Sequence, residues 1–203
     1  MSAILYVRPV GHEFPSFLAL PEAEGMRSCS VHELKAADFE QADAIIVPSH
    51  VDQRALAAHA EALEVFLDRG GSLVFNGHLV YPVLRGLECF VPARGGRVED
   101  LLVERVAEHP VFEGVELQDL SFRRGVAGFY GRGANPPPPG AQVLHRLKGD
   151  GSPVDWYWER PAGGRVLMHG GNPLWMYVDD PSSAARIAPQ LLRWLKAGFQ
   201  PGV

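Results

Sequence analysis

Apolar residues are grouped in two ways along the chain, in short continuous runs and in longer stretches with helical spacing. The clearest example is residues 42–78, where the apolar run Ala44–Val47 precedes an amphipathic stretch, a Gly-Gly pair and a second apolar run, Leu73–Phe75. Within the amphipathic stretch, one helical face carries Leu56, Leu63, Phe66 and Leu67. Ser49 and Asp52 predict its N-terminal cap, and the Gly-Gly pair predicts its end. The pattern indicates a strand–helix–strand unit with parallel strands and a right-handed crossover.

The rest of the chain continues this alternation. Further strands are predicted at Ala3–Val7, Arg27–Val31, Gln142–Leu147, Pro153–Trp158 and Arg165–His169. Further helices are predicted at residues 14–20, 33–39, 79–87 and 183–197. Pro82 breaks the third of these helices, and Pro189 marks either a kink or a late start in the fourth. The order of elements is typical of an α/β protein.

The segment 88–140 differs in composition, because it is rich in Gly, Pro and Arg and contains the tetraproline Pro136–Pro139. Four prolines predict a stiff spacer or, alternatively, a docking ligand for a partner. Glycine-containing turns at 149–151 and 162–164 separate the last three predicted strands, as in hairpins. We therefore expect a single domain over residues 1–203, with a β-rich insertion between its core strands.

Composition and charge narrow the class of protein. The chain has 203 residues, of which 46% are hydrophobic and 21% charged, as in an ordinary globular domain. Its net charge is −5 and its basic residues are scattered, so no nucleic-acid partner is expected. No apolar run approaches the ~18 residues of a membrane-spanning helix, and no membrane association is expected. The first residues read as a strand, and Cys29 and Cys89 form no CxxC motif; we expect a cytoplasmic protein.

Polar residues collect at the ends of the predicted parallel strands, where open α/β sheets bind their ligands. They are Arg8, His12, Ser49, His50, Asn76, His78, His169, Asn172 and Trp175, and they include four of the eight histidines. Such residues also cap helices and satisfy turns, so each taken alone has a structural alternative. As a group, they predict a pocket for a small polar metabolite.

Several phrases carry a resemblance to a known family: DAIIVPS, FLDRGGSLVFNGH, GGRVLMHGGNPLW, the HPVFEG segment at 109–114 and PVDW at 153–156. Together they resemble the class I glutamine amidotransferase-like superfamily, and most of all its trehalose-utilisation (ThuA-like) branch. The resemblance implies a flavodoxin-like three-layer α/β/α sandwich with a mostly parallel central sheet. It also implies a ligand of the carbohydrate type.

The glutaminase chemistry of that superfamily can be compared residue by residue. Matching the Gly-His turn to the family pattern places the nucleophilic Cys at Phe75 or, in a shifted register, at Asn76. The catalytic His corresponds to His169, but the Glu that orients it is replaced by Gly171. Without a thiolate and its oriented base, acyl transfer from glutamine has no nucleophile. We therefore expect a degenerate active site without glutaminase activity.

The remaining candidate residues leave alternatives open. His169 and His78 could act as acid and base, whereas no ligand spacing supports a metal site, so neither metal nor cofactor is expected. An aromatic group predicts either core packing, a dimer interface or a platform for a sugar ring: Trp156, Tyr157, Trp158, Trp175 and Tyr177. Arg123 and Arg124 either receive a carboxylate or phosphate, with Tyr130 nearby, or are solvated.

Three functional hypotheses follow. The first is a small-molecule binding or accessory protein that has lost its nucleophile. The second is a hydrolase or isomerase that uses His169 and His78. The third is a structural or assembly subunit, a homo-oligomer among the alternatives, that associates through the face of Trp156 and Trp158.

Overall fold

The computed structural model describes residues 3–9, 11 and 15–198. Its strands are β1 (Ile4–Arg8), β2 (Arg27–Ser30), β3 (Ala44–Val47), β4 (Ser72–Asn76), β5 (Val91–Pro92), β6 (Val103–Arg105), β7 (Phe122–Arg123), β8 (Val126–Ala127), β9 (Gly133–Ala134), β10 (Gln142–Leu147), β11 (Pro153–Glu159) and β12 (Arg165–His169). Its α-helices are α1 (Ala36–Gln41), α2 (Gln53–Ala57), α3 (Ala60–Asp68), α4 (Leu117–Ser121) and α5 (Ile187–Lys196). Short 3-10 helices lie at Ser16–Ala19, Pro21–Ala23, Val31–Glu33, Val98–Leu101, Pro110–Phe112, Leu174–Tyr177 and Ser183–Arg186. Within these ranges, no helix combines the length and apolarity that crossing a membrane requires.

Eight strands form the central sheet, in the order β2-β1-β3-β4-β12-β11-β10-β6. The first five run parallel, in the strand order typical of flavodoxin-like folds. The last three continue the sheet antiparallel at the β12 edge and derive from the segment between β4 and β12. The expected α/β flavodoxin-like architecture, with a mostly parallel sheet and a β-rich insertion, is confirmed.

Alternating residues of the central strands fill two cores, one on each face of the sheet. In β3, Ile45 and Val47 pack on one side, against the apolar stripe of α2 and α3. Ala44 and Ile46 point to the other side, where they share a core with α5. All four residues are fully buried, because strands in the centre of a doubly covered sheet have no solvent-facing side. This arrangement produces the three layers.

The three C-terminal strands form two consecutive antiparallel pairs, as the glycine-containing turns predict. In the β11–β12 pair Asp155 lies opposite His169, and in the β10–β11 pair His145 lies opposite Asp155. The registers therefore place three titratable side chains in one row across neighbouring strands.

The predicted helix between β3 and β4 is divided in two. Asp52 caps α2 by accepting hydrogen bonds from the amides of Arg54 and Ala55, 3.0 and 3.1 Å away. His59 then leaves helical geometry with φ −104° and ψ 16°, and α3 begins after it. Ser49, the other predicted cap, instead bonds the ring of His50.

The predicted helix at residues 79–87 is wrong, because side chains from elsewhere take the backbone amides of this segment. The amide of Leu79 donates to Asn135, at 2.8 Å, and those of Val80 and Tyr81 donate to Gln53. Pro82 contributes no amide hydrogen at all. The segment therefore follows an irregular path with its amides satisfied.

Pro189 marks a late helix start rather than a kink. It is the third residue of α5, where an amide hydrogen would have no partner within the helix. The residues before it, Ser183–Arg186, form a separate 3-10 turn.

Candidate functional site

A cavity of about 400 Å³ opens at the carboxyl ends of β3, β4 and β12. Polar side chains supply half of its lining: Ser49, His50, Gln53, His78, Arg132 and Asn172. Glycines supply a further third, at Gly77, Gly128, Gly131 and Gly171. We refer to it as the strand-end cavity. Four residues predicted to form a pocket, Ser49, His50, His78 and Asn172, lie together in its wall.

His169 lies beneath this cavity and is held by a carboxylate. Its Nδ1 atom is 2.5 Å from Oδ1 of Asp155, and both side chains are completely buried. Asp155 reaches it from the neighbouring antiparallel strand. The sequence comparison with the amidotransferases finds Gly171 where a carboxylate is expected, whereas the fold supplies a carboxylate from β11.

Two further side chains bind the second oxygen of Asp155. Nδ1 of His145 lies 2.9 Å from Oδ2, and the hydroxyl of Tyr130 donates a short hydrogen bond to the same atom. Burial by itself would raise the pKa of Asp155, but the charge of His169 and hydrogen bonds from His145 and His169 hold it well below its usual range. Burial raises the pKa of Tyr130, and the carboxylate raises it further. Asp155 is therefore an ionised group that three donors stabilise.

The far nitrogen of His169 has no hydrogen-bond partner among the described residues. Because Nδ1 faces the carboxylate, a neutral ring presents Nε2 as an acceptor, and this atom is buried without a donor. Gly171, which lines the strand-end cavity, lies directly against it. A Cβ atom at position 171 would lie 2.8 Å from Nε2 and would overlap the carbonyl oxygen of Tyr130. The glycine thus keeps the layer between the imidazole and the cavity thin.

His78 lies in the cavity wall and stacks on Phe90, with ring centroids 3.6 Å apart. Its backbone carbonyl accepts a hydrogen bond from Gln53, which fixes the turn that carries it. Partial burial lowers the pKa of His78, and the charge of His169 lowers it further. Of the two histidines predicted to act together, His78 therefore stands in the cavity wall, whereas His169 is buried beneath it.

Asn76 and Trp175 lie in the interior rather than at the cavity, contrary to their expected position. Asn76 is fully buried, where its amide donates to the carbonyl of Val47 and accepts from the amide of Leu174. It ties strand β3 to the segment after β12. Trp175 packs edge-on against Tyr6, at 5.8 Å, and has only 4% of its surface exposed. Both positions are explained by packing and by satisfied backbone groups.

The remaining predicted site residues have mixed placements. Asn172 lines the cavity and donates to the carbonyl of Phe129 at 3.1 Å. Arg8 ends β1, two strands away from β4, and is not part of the cavity lining. His12 lies outside the described residues.

Arg123 and Arg124 are already paired within the chain, because Asp180 binds both guanidinium groups. The shortest contacts are 2.5 Å for Arg123 and 2.6 Å for Arg124. The carboxylate that this pair was predicted to receive is thus supplied by the chain itself.

The paired tryptophans of β11 belong mainly to the core. Trp156 is fully buried, and its indole nitrogen donates to the carbonyl of Asn135 at 2.7 Å. Trp158 is half-buried beside it. Tyr157 points to the opposite face, where it packs against Trp194. A sugar platform or an association surface built on Trp156 is therefore wrong, since no part of that ring reaches solvent.

Within the part of the chain that the structure describes, no group of three or more His, Cys, Asp or Glu side chains is arranged to hold a metal ion. The row of His145, Asp155 and His169 directs its Nδ1 atoms at the carboxylate, so these atoms are engaged internally.

Among the site residues that the sequence analysis missed, Asp155 and Arg132 were missed for different reasons. Asp155 stands in an apolar strand beside Trp156, and a single carboxylate in such a run is a detectable signal of a buried polar site. Arg132 lies in the long Gly-, Pro- and Arg-rich segment, where nothing distinguishes it locally from its neighbours.

Neither models of known protein families nor curated protein sequences match the chain. Several solved structures match the chain. Cytoplasmic protein STM3548 from Salmonella typhimurium aligns with a TM-score of 0.64 and 13% identity over 98% of this chain and 100% of that chain. The mmIFT52 N-terminal domain aligns with a TM-score of 0.56 and 15% identity, over 96% of this chain and 98% of that chain. A ThuA-like protein from Bacteroides uniformis aligns with a TM-score of 0.53 and 14% identity, over 98% of this chain and 94% of that chain. At such identities the likeness concerns the fold alone: the chain shares the architecture of a ThuA-like protein.

Proposed function

We propose that the chain binds a small polar metabolite of the carbohydrate type in the strand-end cavity. The observation that carries the proposal is a cavity of about 400 Å³, lined by polar side chains and glycines, at the carboxyl ends of parallel strands. Ligand sites commonly occupy about 300–1,000 Å³ and occur at this edge of open α/β sheets. The carbohydrate class is what the sequence resemblance to the trehalose-utilisation branch implies, and a ThuA-like protein shares the fold.

The lining suits a ligand with several hydroxyl groups. Asn172 and the Ser49–His50 pair offer hydrogen-bond donors and acceptors, and His78 offers a ring nitrogen. The glycines lack side chains, so a ligand can approach the backbone closely. The chain would act as a binding or accessory protein in the cytoplasm. A reducing compartment suits its two free cysteines, and the similar Salmonella structure, STM3548, is named a cytoplasmic protein.

Thermal unfolding in the presence of neutral sugars, sugar acids, sugar phosphates and nucleotides tests the proposal. A metabolite that binds only the folded state adds about 2.7 kcal/mol at a concentration of 100 Kd, and so raises Tm by several degrees. His78→Ala should weaken binding about tenfold by removing a wall of the cavity and a charge-neutral donor. His59→Ala is the matched control, because His59 also contacts an aromatic ring, that of Phe39, but lines a separate groove.

A panel without any shift in Tm would refute metabolite binding for these ligand classes. A shift that His78→Ala leaves unchanged and His59→Ala abolishes would move the ligand away from the strand-end cavity.

The second candidate function is acid–base catalysis on the same ligand by His78, in the cavity wall, and by His169, whose buried Nε2 atom a ligand would have to reach through the thin layer at Gly171. The observation in its favour is the carboxylate of Asp155 on Nδ1 of His169, which orients the ring and leaves Nε2 as the basic atom. A hydrolase or isomerase of this kind would convert members of the panel, detectable by NMR of the mixture. His169→Gln should then abolish turnover while the Tm shift persists. Binding without turnover of any panel member would favour the accessory function over the enzyme.

A further inference from the structure

We infer that the ligand of the strand-end cavity carries an oxyanion, a carboxylate or a phosphate, and that Arg132 binds it. The inference rests on the proposed metabolite binding and specifies the chemical class of the ligand. It assigns a binding residue that lies outside all the sequence motifs discussed above.

The charge of the lining points to an anion. Among the described residues, those that line the cavity include the guanidinium of Arg132 but no carboxylate. The overall net charge of the chain is −5, so a cavity wall without acidic side chains runs against its average composition. Asp155, beneath the cavity, is bonded by two histidines and a tyrosine and is not part of the lining. The guanidinium of Arg132 therefore faces no carboxylate in the wall and favours anions over cations.

Only one of the three guanidinium nitrogens of Arg132 donates a hydrogen bond within the described chain. Its Nε atom donates to the carbonyl of Gly128 at 3.2 Å. Its two terminal amino groups make no hydrogen bond or ion pair with any other part of the described chain. The planar guanidinium fork matches the two oxygens of a carboxylate or phosphate, so this arrangement suits bidentate recognition.

The two arginines of the β7–β8 ribbon differ from Arg132 in having an acidic partner within the chain. Arg123 and Arg124 both bind Asp180, which neutralises them within the chain. The fold therefore provides an internal anion for these two cations and none for Arg132.

The backbone around Arg132 is held in place before any ligand arrives. Its carbonyl accepts a hydrogen bond from the amide of Ala93 at 2.9 Å. Tyr130 on one side is anchored to Asp155, and Asn135 on the other side bonds Leu79 and Gly77 through its side chain. A positioned backbone lowers the ordering cost of binding, since only the side chain must settle on the ligand.

Gly128 allows the guanidinium to lie close to the cavity wall. A Cβ atom at position 128 would approach Nε and Nη2 of Arg132 to 3.2 and 3.4 Å. With a positive φ of 77°, this position also favours glycine for its backbone geometry. Both features keep the arginine against the wall in the orientation that its Nε hydrogen bond sets.

Titration calorimetry with four probes tests the inference: glucose, gluconate, glucose 6-phosphate and inorganic phosphate. Gluconate and glucose 6-phosphate should bind at least about tenfold more tightly than glucose, because charge-assisted bidentate hydrogen bonds are stronger than neutral ones. Arg132→Gln should remove this preference, and Arg132→Lys should retain part of it as a point charge. Arg85→Gln changes the net charge equally at an exposed arginine that lines a different groove, so the preference should survive it. Circular dichroism confirms that each variant is folded.

The outcomes separate the inference from the function on which it rests. Arg132-dependent binding of either anionic sugar, or of inorganic phosphate alone, supports the oxyanion site. Equal binding of glucose and the anionic sugars, or an anion preference that persists in Arg132→Gln, overturns the inference and leaves metabolite binding intact. Binding of none of the four probes, together with an unresponsive metabolite panel, overturns the binding function itself.

Discussion

Asp155 organises the polar interior of the protein. It is completely buried, yet it accepts hydrogen bonds from two histidines and a tyrosine. A buried charge is tolerated only when it is paired and bonded on all sides. The same carboxylate orients His169 under the strand-end cavity, so the stability of the interior and the chemistry of the site depend on one residue.

His109 makes the stability of the protein depend on pH. It caps the 3-10 helix Pro110–Phe112 by accepting the amide of Val111 at 3.3 Å, and burial lowers its pKa to about 4, helped by the charge of Arg165. Below the unfolded-state pKa of about 6.5 the unfolded chain binds a proton that the folded chain does not, so stability is lost as pH falls towards 4. We expect the wild type to lose about 2 kcal/mol between pH 7 and pH 5 from this group.

Urea unfolding at pH 7, 6 and 5 checks this expectation. His109→Asn keeps an acceptor for the cap but cannot titrate, so its free energy of unfolding should fall less over the same range. His32→Asn is the control: its pair with Asp52 is exposed on both sides and contributes little, so the variant should keep nearly the pH dependence of the wild type. Equal pH dependence in the wild type and His109→Asn would contradict the assignment.

At the scale of elements, the antiparallel strand β11 is the decisive addition to the parallel sheet. It enters next to β12 and brings Asp155 to His169 across a strand pair. The helix-rich half of the fold positions Ser49, His50 and His78, whereas the insertion supplies the carboxylate beneath the cavity and Arg132 at its wall. The site therefore forms where the two parts of the fold meet.

The β7–β8 ribbon is fastened to the segment after β12 by its two arginines. Asp180 binds both of them, and Arg123 also donates to the carbonyl of Met176 at 2.8 Å. Arg124 has a positive φ of 50°, a strained backbone that the ion pair helps to maintain. Asp180→Ala should release the ribbon and make its backbone at both arginines accessible to trypsin, with cleavage at least about fivefold faster than in the wild type.

Limited proteolysis with mass spectrometry of the fragments measures this effect. Asp179→Ala removes a neighbouring carboxylate that bonds Ser16 instead of the ribbon, so its cleavage rate at 123–124 should stay unchanged. Similar rates in both variants would show that the ribbon is held by other contacts.

For the molecule as a whole, the central sheet contributes residues to both hydrophobic cores, so neither core can unfold without disrupting the other. Trp156 belongs to the core on the α2–α3 side and Trp175 to the core on the α5 side, yet both cores are built from alternate residues of the same strands. We therefore expect a single cooperative unfolding transition, as for one domain. The test uses two variants, Trp156→Phe and Trp175→Phe, each of which removes the buried tryptophan of one core. In each variant, the urea unfolding curve followed by far-ultraviolet circular dichroism should coincide with the curve followed by tryptophan fluorescence. Two resolved transitions would indicate two independently folding units.

Local pattern was sufficient for much of this protein. The apolar runs of β1, β3, β4 and β12 identify strands, because burial on both faces requires continuous apolar residues. The position of Ser49, His50, His78 and Asn172 around one cavity follows from them, because parallel strands align their carboxyl ends. The helix prediction failed at residues 79–87, where long-range side-chain contacts take the backbone amides.

The sequence by itself thus determined the α/β class, the core strands and the edge of the sheet at which to look for a site. Only the tertiary structure decided that Asp155 orients His169, that Asp180 neutralises Arg123 and Arg124, and that no other described group takes the terminal donors of Arg132. The reason is that hydrophobic periodicity is a property of neighbouring residues, whereas a charge is satisfied by groups that are distant in the chain. Strand register and loop path bring those groups together, and neither can be calculated from local spacing.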